Sequence, residues 1–386
     1  MKVLVLGAAG LQAEVAVHDL LQSPDVTEVI AADTDQAGLA RLQARYGNRL
    51  LPVALDASEP AAIAGLMKDD VAVALCLLPS RLAVAAAEAA VVAGCNLVNT
   101  NYGSALPDGI GARAAAAGVT LMPESGLDPG IDLVLCGYGA SQLDEVHELH
   151  SWCGGIPEPA AADNPLRYKV SWSWEGVLKS YCRPGRMMRD GQLVRIAAGD
   201  QHNPDWVQEV DFPGIGPLEL IPNGDAILFA EHLGLADQIR DTTRCTFRWP
   251  GHSALWRSLT ELGFLEESPL AELGGVSPRE FMIRHLEPRL AYGSTERDMV
   301  VMRVIVGGVR DGQPVRLVYD LVDRRDLETG FMAMTRTVGF TASIVTQMVG
   351  TGEIAGRGLL TAVRDIPQQA LLDRLAERGI TIHQPR

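Results

Sequence analysis

A chain of 386 residues, 47% hydrophobic and 21% charged, can bury two ordinary cores and reads as neither disordered nor fibrous. Its formal net charge of −15 provides no basic face for a phosphate backbone or anionic lipid. That excludes nucleic-acid and membrane partners and leaves a small molecule as the expected one.

Cys76, Cys95, Cys136, Cys153, Cys182 and Cys245 form no CxxC pair, and the N-terminus lacks the layout of a signal peptide, so a reducing cytoplasm is expected. Pro79, Ser80 and Arg81 interrupt the apolar run "DVAVALCLLPSRLAVAAAEAAVVAG" before it reaches the roughly 20 residues a bilayer requires.

In chain order, the run Val3 to Leu6 predicts a strand, a glycine-rich turn follows, and apolar residues then recur at helical spacing through Leu21. The turn, Gly7-Ala-Ala-Gly10-Leu-Gln-Ala13, is a variant dinucleotide fingerprint with alanine at two of the small positions. Taken alone it also fits an ordinary tight turn. A second strand, "EVIAAD", ends in Asp33 about 20 residues on, where a carboxylate can hold ribose hydroxyls and repel a 2′-phosphate. With no arginine before Arg41, the expected cofactor is NAD rather than NADP.

A helix "AGLARLQARYG" and the strand "LLPVALDAS" follow, the latter carrying Asp56 and Ala57; Asp56 suits adenine contact or a helix N-cap equally. "VAVALCLLPS", "NLVNTNYG" and "GVTLMPESG" complete a doubly wound parallel unit with intervening helices. Ligands bind at the C-terminal ends of such strands. The expected cofactor residues are therefore Gly7, Ala9, Gly10, Leu11, Gln12, Asp33, Thr34, Asp56, Ala57, Leu77, Leu78, Pro79 and Ser80. The loop from Glu124 to Asp128 is placed beside them.

Further on, "GIDLVLCGYGASQL" reads as a helix and "EVHELHSWCGG" as a strand. "YKVSWSWEGVLKSY" alternates like a strand, placing Trp172 and Trp174 on one face, and then turns helical. "MMRDGQLVRI" has Asp190-Gly191 as a hairpin signal, and "TTRCTFRWPG" is another strand. Helices near "ALWRSLTELGF" and "PREFMIRHLEPRL" precede a long hairpin, "DMVVMRVIVGGVRDGQPVRLVYDLV", and two terminal helices. No histidine pair has HxxxH or HExxH spacing, so no metal is expected from His202, His232 or His252.

The blocks "ESGLDPGID", "CGGIPEPAAADNPLRYKVSWSWEGVL", "MRDG", "RCTFRWPGH", "ERDMVVM" and "GFTASIVTQMVGTGEIAGRGLL" resemble the saccharopine dehydrogenase family over almost the whole chain. The central block is similar to the glutamate-forming saccharopine dehydrogenases, whereas overall length, "GYGASQLDEV" and "VIVGG" look more like lysine 6-dehydrogenase. The resemblance implies an α/β chain: a Rossmann domain over 1–125, an α+β substrate domain with a mixed, mostly antiparallel sheet over 126–335, and helices over 336–386 that return to the first domain. It also implies a homodimer or larger homo-oligomer.

Family membership would nominate Asp128, Lys169 and Cys153 for catalysis and Asn101, Tyr102, Leu127, Asp128, Cys153, Arg244 and Thr246 for substrate binding. Asp128 would pair with the substrate amine and help move its proton; Lys169 would bind a carboxylate or assist proton transfer, and fits a solvated strand lysine equally well; Cys153 would lie beside the substrate. One position departs. In "PNGDAIL" the saccharopine enzymes have an arginine after the asparagine that grips a glutamate-side carboxylate, and this chain has Gly224. The implied reaction is NAD-dependent oxidation at a CH–NH centre, saccharopine and water giving glutamate and 2-aminoadipate 6-semialdehyde. The alternatives are a lysine 6-dehydrogenase and a non-catalytic dinucleotide-binding regulator.

Overall fold

The computed structural model describes residues 1–68 and 70–385. The chain begins β1 (Lys2–Leu6), α1 (Leu11–Gln22), β2 (Glu28–Asp33), α2 (Gln36–Tyr46), β3 (Leu50–Ala54), α3 (Pro60–Leu66), β4 (Val71–Cys76), α4 (Ser80–Ala93), β5 (Asn96–Asn99), α5 (Ile110–Ala116), β6 (Thr120–Met122) and α6 (Ile131–Ala140). It continues through β7 (Glu145–Pro157), α7 (Trp174–Ser180), β8 (Gly185–Arg189), β9 (Gln192–Ile196), β10 (Gln208–Phe212), β11 (Gly216–Pro222), α8 (Ile227–Leu233) and β12 (Asp241–Arg248). The remainder is α9 (His252–Glu261), α10 (Pro278–Leu286), β13 (Asp298–Arg310), β14 (Gln313–Arg324), α11 (Ala333–Gly350), β15 (Gly358–Leu359), α12 (Ala362–Asp365), α13 (Gln368–Glu377) and β16 (Ile382–His383).

Two compact units result, the first from Met1–Tyr138 with Thr335–Thr381, the second from Gly139–Met334 with the chain end from Ile382. In the first, seven strands in the order β15-β6-β5-β4-β1-β2-β3 are parallel throughout. Val3 to Leu6 of β1 are fully buried, as expected of a central parallel strand covered on both faces. The connections reverse direction between β1 and β4, which creates the crevice where α/β sheets bind ligands.

The C-terminal helices complete this unit. Gly339 of α11 sits so near α1 that a Cβ would come within 2.7 Å of Val15 Cβ. The buried Asp19 of α1 is satisfied by Arg378 Nε (2.7 Å) and Ser343 Oγ (2.7 Å), so an acid on an otherwise apolar helix face locks the late helices onto the first one.

The second unit holds a nine-stranded sheet, β10-β11-β12-β7-β13-β14-β16, with β8 pairing with β12 and β9. Only β7 and β12 run parallel; the other pairs are antiparallel. Asp190 and Gly191, with φ of 51° and 73°, close the β8–β9 hairpin that the sequence signals.

The expected strand over Tyr168–Ser173 is absent. Asn164 clasps this segment through Nδ2 to the Tyr168 carbonyl (2.8 Å), and Ser173 caps α7. Trp174 is a buried helical residue packed on Tyr168 and Trp256, so it and Trp172 do not share a strand face. The apolar residues of this irregular segment pack on an aromatic cluster, Tyr168 and Trp174 fully and Val170 and Trp172 partly buried, without forming a strand. Strands β10 and β11 were not anticipated. Among the described residues no helix is long and apolar enough to cross a membrane.

Candidate active site

In the first unit, Gly7 (φ +78°) follows β1, and a Cβ there would meet Leu78 Cδ2 at 3.1 Å and the Leu77 carbonyl at 3.2 Å. The turn is thus pressed against the end of β4, where only glycine fits. Gly10 is the N-cap of α1 and no side chain caps this helix, so backbone amides at a twelve-residue helix N-terminus remain for an anion. This cradle fits a dinucleotide pyrophosphate. Leu11 is exposed beside it, and Gln12 Oε1 is buried with no hydrogen-bond partner among the described residues.

Asp33 behaves differently from the sequence expectation. Its Oδ2 accepts from Ala9 N (3.0 Å) and its Oδ1 from Asp35 N (2.9 Å) and the Thr34 hydroxyl (3.5 Å). The carboxylate ties β2 to the glycine-rich turn, so its lone pairs serve the backbone. Thr34 is exposed, and the exposed Arg41 reaches Asp35 (3.5 Å). Asp56 is exposed and closes a turn by accepting from Ser58 N (2.9 Å), which lowers its pKa; the N-cap of α3 is Glu59 instead. Ala57 is buried behind it. Pro79 caps α4, and Ser80 is its first residue.

At the ends of β5 and β6 the polar residues form one network. Asn101 Nδ2 donates to the Leu78 carbonyl (3.2 Å), and Glu124 N donates to the Asn101 carbonyl (2.9 Å). Glu124 is buried, with Oε1 accepting from Gly103 N (3.1 Å) and Oε2 from the Thr361 hydroxyl (3.1 Å). Asp132 is also buried and accepts from Gly130 N (2.8 Å) at the start of α6. Both acids hold the loop together. Asp128 is only partly buried, and its Oδ1 accepts from the Tyr102 hydroxyl (3.3 Å). Leu127 beside it is buried. The structure therefore brings Tyr102 and Asp128 together at a half-buried position.

In the second unit, Cys153 is 5% exposed at the centre of β7, opposite Met302 of β13. All six cysteines are free thiols. The two glycines after Cys153 answer to packing: a Cβ at Gly154 would stand 2.5 Å from the Phe247 carbonyl, and one at Gly155 would stand 2.6 Å from Met334 Cε. Lys169 is buried between Glu296 (2.6 Å) and Asp163 (3.1 Å). Burial alone would lower its pKa, but the hydrogen bonds to these two acids outweigh that and raise it. It stays an ammonium with its charge matched locally, so the proton-transfer role expected for it is dropped.

Arg244 and Thr246 project from one face of β12, and both are buried. Arg244 Nη1 donates to the Asn223 carbonyl (2.6 Å). Sequence reasoning passed over the third residue of this face. Arg248 is 4% exposed, and its Nη1 donates to Thr246 Oγ1 (2.8 Å) and the Phe247 carbonyl (2.8 Å), its Nε to the Tyr181 hydroxyl (3.3 Å). The guanidinium lies over the Tyr168 ring at 5.1 Å. Among the described residues no carboxylate pairs with it.

A buried guanidinium held only by neutral groups suits an anionic ligand group. The available signal was the even spacing of Arg244, Thr246 and Arg248 on a predicted strand. Behind it, His252 Nδ1 donates to the Leu166 carbonyl (3.0 Å), leaving Nε2 to accept from Tyr181 (2.7 Å). Burial pushes His252 well below its usual range and His202 down to about 3, so both stay neutral. Among the described residues no group of His, Cys, Asp or Glu could hold a metal ion.

A cavity of about 370 Å³ opens on the opposite sheet face, lined in part by His150, Trp152, Asp241, Thr243 and Cys245. None of the nominated side chains line it; strand alternation sends Arg244, Thr246 and Arg248 the other way.

Two family models cover nearly the whole chain. Residues 3–122 match the saccharopine dehydrogenase NADP binding domain and residues 126–380 the saccharopine dehydrogenase C-terminal domain. The mouse mitochondrial alpha-aminoadipic semialdehyde synthase is 28% identical over 99% of this chain, which spans only 47% of that relative. A Saccharomyces cerevisiae protein named saccharopine dehydrogenase [NADP(+), L-glutamate-forming] is 26% identical over 93% of both chains.

In fold, the chain is similar to apo saccharopine dehydrogenase (L-Glu forming) from Saccharomyces cerevisiae, with a TM-score of 0.85, 24% identity and coverage of 100% and 99%. It is also similar to a Legionella pneumophila homospermidine synthase, with a TM-score of 0.68, 10% identity and coverage of 100% and 91%. The NADP binding domain match and the NADP(+) relatives overturn the expectation of NAD. The Asp33 carboxylate accepts from the Ala9 and Asp35 amides and so serves the turn instead of setting the cofactor. The chain belongs to the saccharopine dehydrogenase family.

Proposed function

We propose that the protein is an NADP(H)-dependent oxidoreductase that oxidises the secondary amine of saccharopine. Saccharopine, NADP+ and water would give glutamate, 2-aminoadipate 6-semialdehyde, NADPH and a proton. The carrying observation is the Tyr102–Asp128 pair at the strand ends of a glycine-turn dinucleotide fold in this family. The bound nicotinamide supplies the hydride acceptor.

The substrate nitrogen must lose its proton before the adjoining carbon gives up hydride, and a half-buried carboxylate is suited to take that proton. Asp128 fills this role, with the Tyr102 hydroxyl orienting its carboxylate. Arg244 and Arg248 bind substrate carboxylates, which their planar forks match. Thr246 holds Arg248 in orientation. Cys153 lines the same sheet face by strand alternation. Asn101 shapes the loop rather than reacting, because its amide is committed to the Leu78 carbonyl.

On the cofactor side, the exposed Thr34 and Arg41 are the groups suited to a 2′-phosphate. Gly224 is the observation that favours a second reading, oxidation of lysine itself, since the arginine expected there is missing. Incubation of the purified protein with NADP+ and either saccharopine or lysine separates the two readings by NADPH absorbance. A homodimer or larger homo-oligomer in a reducing compartment belongs to the same proposal; light scattering tests the assembly.

A further inference from the structure

The cavity of about 370 Å³ on the reverse face of the second sheet has no part in the proposed reaction. Its volume falls within the roughly 300–1,000 Å³ of small-molecule sites. Met187, Leu220 and Cys245 give the lining a buried apolar part, and the half-buried indoles of Trp152 and Trp206 extend it. Both indole N–H groups are spent: Trp206 Nε1 donates to Asp200 Oδ2 (2.8 Å) and Trp152 Nε1 to Thr243 Oγ1 (2.8 Å). The Thr243 hydroxyl donates in turn to His150 Nδ1 (2.7 Å), and His150 Nε2 to Glu148 Oε1 (3.0 Å). This chain of bonds fixes Trp152, and the two ring systems are left to offer apolar surface to an occupant.

Arg189 and Arg240 line the same cavity, and backbone bonds bring them there. Gly191 N donates to the Arg240 carbonyl (2.8 Å) and Asp190 N to Asp241 Oδ1 (3.0 Å), so the β8–β9 turn is tied to the start of β12. Both arginines are exposed, and neither makes a side-chain hydrogen bond or ion pair among the described residues. Of the two acids in the lining, Glu148 is matched by Arg316 (2.9 Å), which leaves Asp241 alone against two guanidinium groups. The excess is one positive charge, in a chain whose formal net charge is −15. One carboxylate balances it, and a guanidinium fork matches the two carboxylate oxygens.

We infer that this cavity is a second ligand site, which takes a small monocarboxylate with a planar apolar body. The carboxylate is held by Arg189 and Arg240, and the planar body lies against Trp152 and Trp206. The site is separate from the residues assigned to the substrate: on β12, Thr243 and Cys245 face the cavity, whereas Arg244 and Thr246 face the other way. It stands independently of the saccharopine reading.

Calorimetric titration of the full chain with phenylacetate tests this, with 2-phenylethanol as the same body without the charge and acetate as the charge without the body. The wild type is expected to bind phenylacetate about tenfold or more tightly than either of the others. The double variant Arg189→Ala, Arg240→Ala should weaken phenylacetate about tenfold or more, and the double lysine variant less, while 2-phenylethanol binding and the melting temperature stay as in the wild type. Trp206→Leu should weaken phenylacetate and 2-phenylethanol alike, because it removes the surface that both bodies share. No binding of phenylacetate by the wild type, equal binding of phenylacetate and 2-phenylethanol, or phenylacetate affinity unchanged in the double alanine variant overturns the inference.

Discussion

Asp128 is distinguished from its neighbours by what its carboxylate touches. Buried Glu124 accepts from the Gly103 amide and the Thr361 hydroxyl and buried Asp132 from the Gly130 amide, whereas Asp128 is half-buried and accepts from the Tyr102 hydroxyl. Asp128→Ala should lower kcat/KM about a hundredfold or more without changing NADP+ affinity, and Tyr102→Phe roughly threefold to tenfold, because it orients rather than accepts the proton. Steady-state kinetics with the cofactor saturating would show both. At the cofactor turn, Gly7→Ala should weaken NADP+ binding about tenfold and cost about 1–2 kcal/mol of stability, since its φ is positive and a Cβ meets the Leu77 carbonyl. The regular spacing of acids in "ESGLDPGID" carried no information by itself; only hydrogen-bond partners, which sequence does not display, separate the three.

At the scale of elements, strands with strong alternation or β-branched runs were legible, as in β2, β12 and the β13–β14 hairpin. Their side-chain faces followed directly, which placed Arg244 and Thr246 on one side of β12. Alternation misled over Tyr168–Ser173, where an irregular segment packs Tyr168, Val170 and Trp172 on an aromatic cluster without pairing to any strand. The edge strand β10 and its neighbour β11 escaped because short polar-mixed segments carry little periodic signal.

On the reverse face of the second sheet, Glu148 joins β7 to β14. Burial pushes its pKa up, but hydrogen bonds from His150 (3.0 Å) and Arg316 (2.9 Å) outweigh that and lower it to about 2. A depressed carboxylate pKa stabilises the fold above the unfolded value of 4.5, and that contribution is lost as pH falls toward 2. Glu148→Gln should therefore cost about 1–3 kcal/mol at pH 7, with the difference from wild type narrowing below about pH 4.5. Denaturant unfolding across that range checks it.

For the whole molecule, the doubly wound first unit and the mixed second sheet were readable because each rests on many residues. Cofactor choice rested on one carboxylate and was misread. A ligand that binds only the folded state adds stability with its concentration, about 2.7 kcal/mol at a hundred times Kd. NADP+ should consequently raise the melting temperature more than NAD+ at equal concentration, and Arg41→Ala should shrink that difference.

The proposed reaction is tested most directly by NADPH formation from saccharopine and NADP+ under initial-rate conditions, with lysine as the competing substrate. The account predicts steady NADPH production from saccharopine, with kcat/KM at least about tenfold above that for lysine. No NADPH from saccharopine, or a higher kcat/KM for lysine, would contradict it.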